Sequence, residues 1–103
     1  MAPNLPDVYV GLARAELKAT PGSDEQATKA MELYRKALSL DAGHYEANLN
    51  LALLYYDIWN FDKRPEGEGY QRARDHFERA AKKVPPELWD PLARQAYEEI
   101  KKR

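Results

Sequence analysis

The stretch NLNLALLYY, Asn48 to Tyr56, decides how the rest of the chain is read. It sets a Leu-Ala pair three residues after Asn48. The same arrangement stands at Tyr9, Leu12 and Ala13, and again at Trp89, Leu92 and Ala93. The tripeptide Leu-Ala-Arg even occurs twice, at Leu12–Arg14 and Leu92–Arg94. A second pattern follows the first two copies: Ala30, Tyr34 and Ala37 are spaced as Ala73, Phe77 and Ala80 are. Self-similarity at this period means a repeated supersecondary unit, here two helical hairpins and one further helix.

Apolar spacing and helix punctuation give the same five segments. The first runs from about Pro6 to Ala19 and ends at Thr20-Pro21-Gly22. Ser23 stands three residues ahead of Gln26 as in a capping box, opening a second helix to Leu40 with Ala27, Ala30, Met31, Tyr34, Ala37 and Leu38 inward. After the turn Asp41-Ala42-Gly43-His44, a third helix runs from Tyr45 to about Asn60. A fourth extends to about Lys83, with Tyr70, Ala73, Phe77, Ala80 and Val84 inward and Arg72, Asp75, Arg79 and Lys82 outward. Pro85-Pro86 stops it, and a last helix is expected from about Leu88 to Lys102. The expected hairpins are thus residues 6–40 and 45–83 of a single domain capped by residues 88–102, with no strand required.

These motifs resemble the tetratricopeptide repeat family. Its pattern is Trp, two spacers, Leu-Gly, two spacers and Tyr on a first helix, then Ala-x-x-x-Phe and a closing proline on a second. Leu51, Ala52, Tyr55, Ala73, Phe77, Ala80 and Pro85 occupy these sites in the second unit, with Asn48 where Trp is common. In the first unit Glu16 replaces the Tyr and Ala42 the proline. The resemblance implies an all-α, right-handed solenoid of αα-hairpins, in which small residues let helices approach and the aromatic of one hairpin fills the space left by the next. Two repeats and a cap fall short of the usual three or more, so a longer parent protein is expected.

Composition narrows the function. With 44% hydrophobic and 32% charged residues the chain suits one soluble globular core, and no apolar run approaches membrane-span length. No secretory or transit pattern is readable in Met1 to Asp7. Without cysteine there is no disulfide framework or cysteine zinc site. The net charge of −1 gives no general attraction to nucleic acid, although Met1–Asp62 carries five basic and nine acidic residues and Lys63–Arg103 eleven and eight. No phosphate loop, dinucleotide fingerprint, HExxH or nucleophile elbow is present. His44 in a turn and His76, placed on the outer face of the fourth helix, read as capping or solvated histidines. A non-enzymatic protein without cofactor is expected.

Ala73 stands 22 positions after Leu51, where the repeat pattern wants about 13, so roughly nine extra residues fall in WNFDKRPEGEGYQ, Trp59 to Gln71. Two readings stay open. Either both helices overshoot and Trp59, Phe61 and Tyr70 pack on each other at the hairpin tip, or a loop displays Lys63 and Arg64 to a partner on a base of Trp59 and Phe61.

Family members act as adaptors that bind a peptide or protein partner in a concave groove lined by the first helix of each repeat. The matching positions here are Val10, Arg14, Leu17 and Lys18 on the first helix and Glu46, Leu49, Asn50, Leu53, Tyr56 and Asp57 on the third. Leu49, Leu53 and Tyr56 make the third helix apolar nearly all round. Either the first and last helices cover that face, or it is an open groove. The family's clamp for chaperone tails wants Lys and Asn where Val10 and Arg14 stand, so although Asn50 fits, that ligand is disfavoured. The alternative is a structural or assembly element that stacks on other repeats or self-associates, with Trp89, Ala96, Tyr97 and Ile100 of the last helix as its exposed apolar surface. The long second hairpin also looks similar to repeats of bacterial envelope and motility complexes.

Overall fold

The computed structural model describes residues 5–19, 24–62 and 68–102. They form five helices, α1 (Leu5–Ala19), α2 (Asp24–Leu40), α3 (Tyr45–Asp62), α4 (Glu68–Lys83) and α5 (Pro91–Lys101), with a single 3-10 turn, Pro86–Leu88, before the last. No strand occurs among the described residues. The segments Thr20-Pro21-Gly22 and the capping Ser23 lie outside them.

α1 packs along α2 and α3 along α4, giving two helical hairpins; α2 meets α3, and α5 lies against both α3 and α4. The repeated small residues sit at the contacts. Ala13, Ala30 and Ala37 in the first hairpin and Ala52, Ala73 and Ala80 in the second are all completely buried, and side chains this short let helix axes come to about 8 Å. Tyr34 and Phe77, the aromatics of the repeated pattern, are completely buried as well. At the tip of the second hairpin Gly69 takes over the small-residue role: a Cβ there would stand 3.2 Å from both Trp59 N and Tyr55 O, so α4's backbone lies directly on α3.

The turn between the hairpins is built locally. Gly43 N donates to Asp41 Oδ1 at 3.2 Å, an Asx turn. Ala47 N donates to His44 Nδ1 at 3.2 Å, so His44 caps α3. That bond makes Nδ1 the acceptor, and Nε2 carries the proton it donates to Asp7 Oδ1 at 2.6 Å. One histidine therefore ties the start of α3 to the start of α1.

The last helix begins at Pro91 and not at Leu88. A proline cannot continue a helix that needs its N–H, and the residue before it is driven to extended backbone. Asp90 accordingly has φ −51° and ψ 137°, and its side chain caps α5 by accepting from Leu92 N at 3.2 Å. The preceding 3-10 turn places Trp89 beneath the helix, where its Nε1 donates to Val84 O at 2.8 Å. Trp89, Tyr97 and Phe77 then form a three-ring cluster with centroids 5.4 to 6.0 Å apart, and Tyr45 adds a fourth ring 6.4 Å from Trp89. This cluster joins α3, α4 and α5.

Candidate functional site

The third helix is the hub. Arg14 of α1 pairs with Glu46 of α3 at 3.4 Å, and the hydroxyl of Tyr56 donates to Glu99 of α5. Burial, then the bond to Glu99, pushes the Tyr56 phenol up to about 12. α3 thus lies between α1 and α5, held to each by polar side chains at its two ends.

Along that face the ten candidate residues divide. Arg14, Lys18, Glu46 and Asp57 are exposed, while Leu17, Leu49, Asn50, Leu53 and Tyr56 are half-buried. The surface is therefore a shallow apolar strip of Leu49, Leu53 and Tyr56 with a charged border. Neither full burial nor a fully open groove describes it: all three are half-buried, and α5 reaches it where Glu99 bonds Tyr56. Val10 does not belong to this face: at 3% exposure it is buried. It stands one turn from the fully buried Ala13, on the stripe with which α1 packs on α2.

Among the tip candidates, Trp59 is 2% exposed. Its ring lies 6.1 Å from that of Tyr70 and 5.7 Å from that of Tyr56, so it is core and not a display platform. Lys63 and Arg64, and the side chain of Phe61, lie outside the described residues. The last helix also differs from expectation. Trp89, Ala96 and Ile100 are buried and Tyr97 half-buried. The exposed apolar groups at that end are instead Leu88 and Leu92, at 75% and 72%.

A polar centre that sequence reasoning missed occupies the opposite side of α3. His76, expected outside, is 9% exposed. Its Nδ1 and Asn48 Oδ1 are 2.9 Å apart, and Asn48, completely buried, donates from Nδ2 to Ala42 O at 3.0 Å. The imidazole stacks on the Tyr55 ring with centroids 6.0 Å apart and planes 3° from parallel. The Tyr55 hydroxyl accepts a hydrogen bond from Arg35 of α2. The Arg35 and Arg72 guanidinium carbons lie 5.7 and 5.9 Å from the Tyr55 centroid. The available signal was spacing, since position 76 is three residues after Ala73 and four before Ala80, on the buried stripe.

Among the described residues no group of three or more His, Cys, Asp or Glu side chains is arranged to hold a metal ion, and no helix is long and apolar enough to cross a membrane. The fold and its faces thus define an all-α protein of paired helices. No protein-family model matches the chain, and no curated protein or solved structure matches it significantly.

Proposed function

We propose that this chain is a tetratricopeptide-type interaction module, a short right-handed solenoid that binds a peptide or protein segment along α1 and α3. Support for the repeat reading comes from the repeated positions themselves: Ala13, Ala30, Tyr34 and Ala37 are as deeply buried as Ala52, Ala73, Phe77 and Ala80. The observation that carries the binding reading is the half-buried strip of Leu49 and Leu53 on the central helix, bordered by Arg14, Lys18, Glu46, Asn50 and Asp57. An apolar centre with a polar rim is the ordinary anatomy of a protein-binding surface. A peptide laid there would desolvate the two leucines and find charges of both signs to fix its register.

The test compares proteins retained by the immobilised domain with those retained by Leu53→Glu. Loss of retention with an unchanged melting transition supports the groove. Retention by Leu53→Glu together with loss in a Lys63→Glu, Arg64→Glu double change would move the site to the hairpin tip.

One observation favours assembly as a second reading. Leu51 is 1% exposed, yet its counterparts on the outer helices, Leu12 and Leu92, are 50% and 72% exposed. Leu51 has a hairpin on each side, whereas no described helix flanks α1 or α5 on the far side. Stacking on further repeats would bury Leu12 at one end and Leu88 and Leu92 at the other. Sedimentation that changes with concentration in the wild type and not in Leu92→Ser would support stacking between copies.

A further inference from the structure

The repeated pattern makes α1 the counterpart of α3. With Leu12 matched to Leu51, Val8 falls on Ala47 and Ala15 on Leu54. On α3 that stripe is the one turned to the first hairpin: Asn48, Tyr55 and Trp59 meet α4 and Tyr56 meets α5, which leaves Ala47, Leu51 and Leu54 toward α2. Ala47 and Leu51 are accordingly buried and Leu54 half-buried. Val8, Leu12 and Ala15 are instead exposed, and Leu5 and Ala19, exposed too, extend the stripe in both directions at helical spacing. Among the described residues no helix packs on it.

The opposite end is closed differently. α5 buries Trp89, Ala93, Ala96 and Ile100, which the repeat matches to Asn48, Ala52, Tyr55 and Trp59. That is the stripe α3 gives to α4, so α5 is rolled onto the second hairpin and keeps no such face for a further helix. Its outward stripe is mixed, since Leu88 and Leu92 are followed by Gln95 and Glu99. The α1 stripe has no polar member, so laying it end to end on α5 would desolvate polar groups against alanine and leucine. A second α1 matches it along its whole length.

We propose that α1 pairs with α1 of a second copy, antiparallel, about a two-fold axis near Leu12. The stripe is large at its start and small at its end. Antiparallel pairing sets Leu5 and Val8 of each copy over Ala19 and Ala15 of the other, whereas a parallel pair would stack large on large and leave gaps over the alanines. Charge agrees with shape. Lys18 of each copy comes level with Asp7 of the other, whose side chain is 66% exposed even while bonded to His44, whereas parallel pairing sets Lys18 beside Lys18. Leu40 widens the apolar face: Lys36 lies over the Tyr9 ring, so the exposed Leu40, one turn further along α2, stands beside the start of α1. A seam of one 15-residue helix is about 22 Å long. That falls short of a standard interface of about 800 Å² per partner, so the pair is a weak one that exchanges with monomers. The inference shares Leu12 with the assembly reading above but not Leu92, so the two fail separately.

The experiment is sedimentation velocity of the whole chain over roughly 10 to 500 μM, the range in which a weak pair forms and dissociates. The wild type should rise to a dimer and stop there. Leu12→Glu should stay monomeric with an unchanged melting transition in dilute solution, and Leu92→Ser should dimerise as the wild type does. Orientation is read by cross-linking, since the chain has no cysteine of its own. With oxidised glutathione, Leu12→Cys should give a disulfide dimer, as should an equal mixture of Leu5→Cys and Ala19→Cys, while Leu5→Cys alone should not. A wild type that stays monomeric throughout, or a Leu12→Glu protein that still dimerises, would overturn the proposal. So would disulfide dimers of Leu5→Cys alone, which mark a parallel pair, and association that runs past the dimer and is lost in Leu92→Ser, which marks end-to-end stacking.

Discussion

His76 Nδ1 lies 2.9 Å from Asn48 Oδ1, joining α4 to α3 through two buried polar side chains. The amide's other end donates to Ala42 O at 3.0 Å, so the same asparagine also fixes the turn that enters α3. Asn48→Ala should therefore cost about 1 to 3 kcal/mol, since it strands the buried His76 imidazole and loosens the bond to Ala42 O, which at an exposed residue can turn to water. Chemical denaturation measures it. A cost under about 0.5 kcal/mol would mean that the His76 imidazole finds water instead.

Acid stability follows from the same imidazole. His76 ordinarily titrates near 6.5 and is held down to about 4, first by burial and then by Arg79. Its folded pKa is depressed, so the unfolded chain takes up the proton first. The resulting stabilisation is complete above about pH 6.5 and is lost as pH falls toward 4, on the order of 3 kcal/mol over that window. Denaturation midpoints at pH 7, 6 and 5 should fall in the wild type and flatten in His76→Gln.

Phe77 is completely buried and touches both the Trp89 and Tyr97 rings. Phe77→Ala should cost about 3 to 5 kcal/mol, because it leaves a cavity at the junction of α3, α4 and α5. A loss under about 1 kcal/mol would place the ring at the surface.

Two glycines in helices should respond oppositely to alanine. At Gly11 a Cβ meets nothing within 4 Å, so Gly11→Ala should stabilise by about 0.5 to 1 kcal/mol through helix propensity. At Gly69 the added Cβ would press on the α3 backbone at 3.2 Å. Gly69→Ala should destabilise despite the same propensity gain, and thermal melts of the pair compare them directly.

Much of this architecture could be read from the chain because each element carries redundant signals. Ala30-x-x-x-Tyr34 and Ala73-x-x-x-Phe77 combine helical period with a small residue and an aromatic, and both aromatics are completely buried. The start of α5 is less legible, because Leu88 and Trp89 fit the helical period while Pro91 drives Asp90 to extended backbone. Val10 matches a groove position yet is buried, because a pattern shared among helices does not say which stripe a terminal helix buries. His76 reads as outward by its polarity, whereas positions 73, 76, 77 and 80 share one buried stripe. The pairing of Arg35 with Tyr55 joins residues 20 positions apart on different helices, a contact set by hairpin packing that no local spacing encodes.

The central reading, a partner seated on α3 between α1 and α5, is tested most directly by backbone amide mapping during titration with a partner retained by the domain. Perturbed amides should cluster at Arg14, Lys18, Glu46, Asn50, Leu53 and Asp57, with Leu53→Glu abolishing the shifts. Perturbations confined to Leu88–Leu92, or to the helix faces around Arg35 and Arg79, with the α3 strip unmoved, would contradict it.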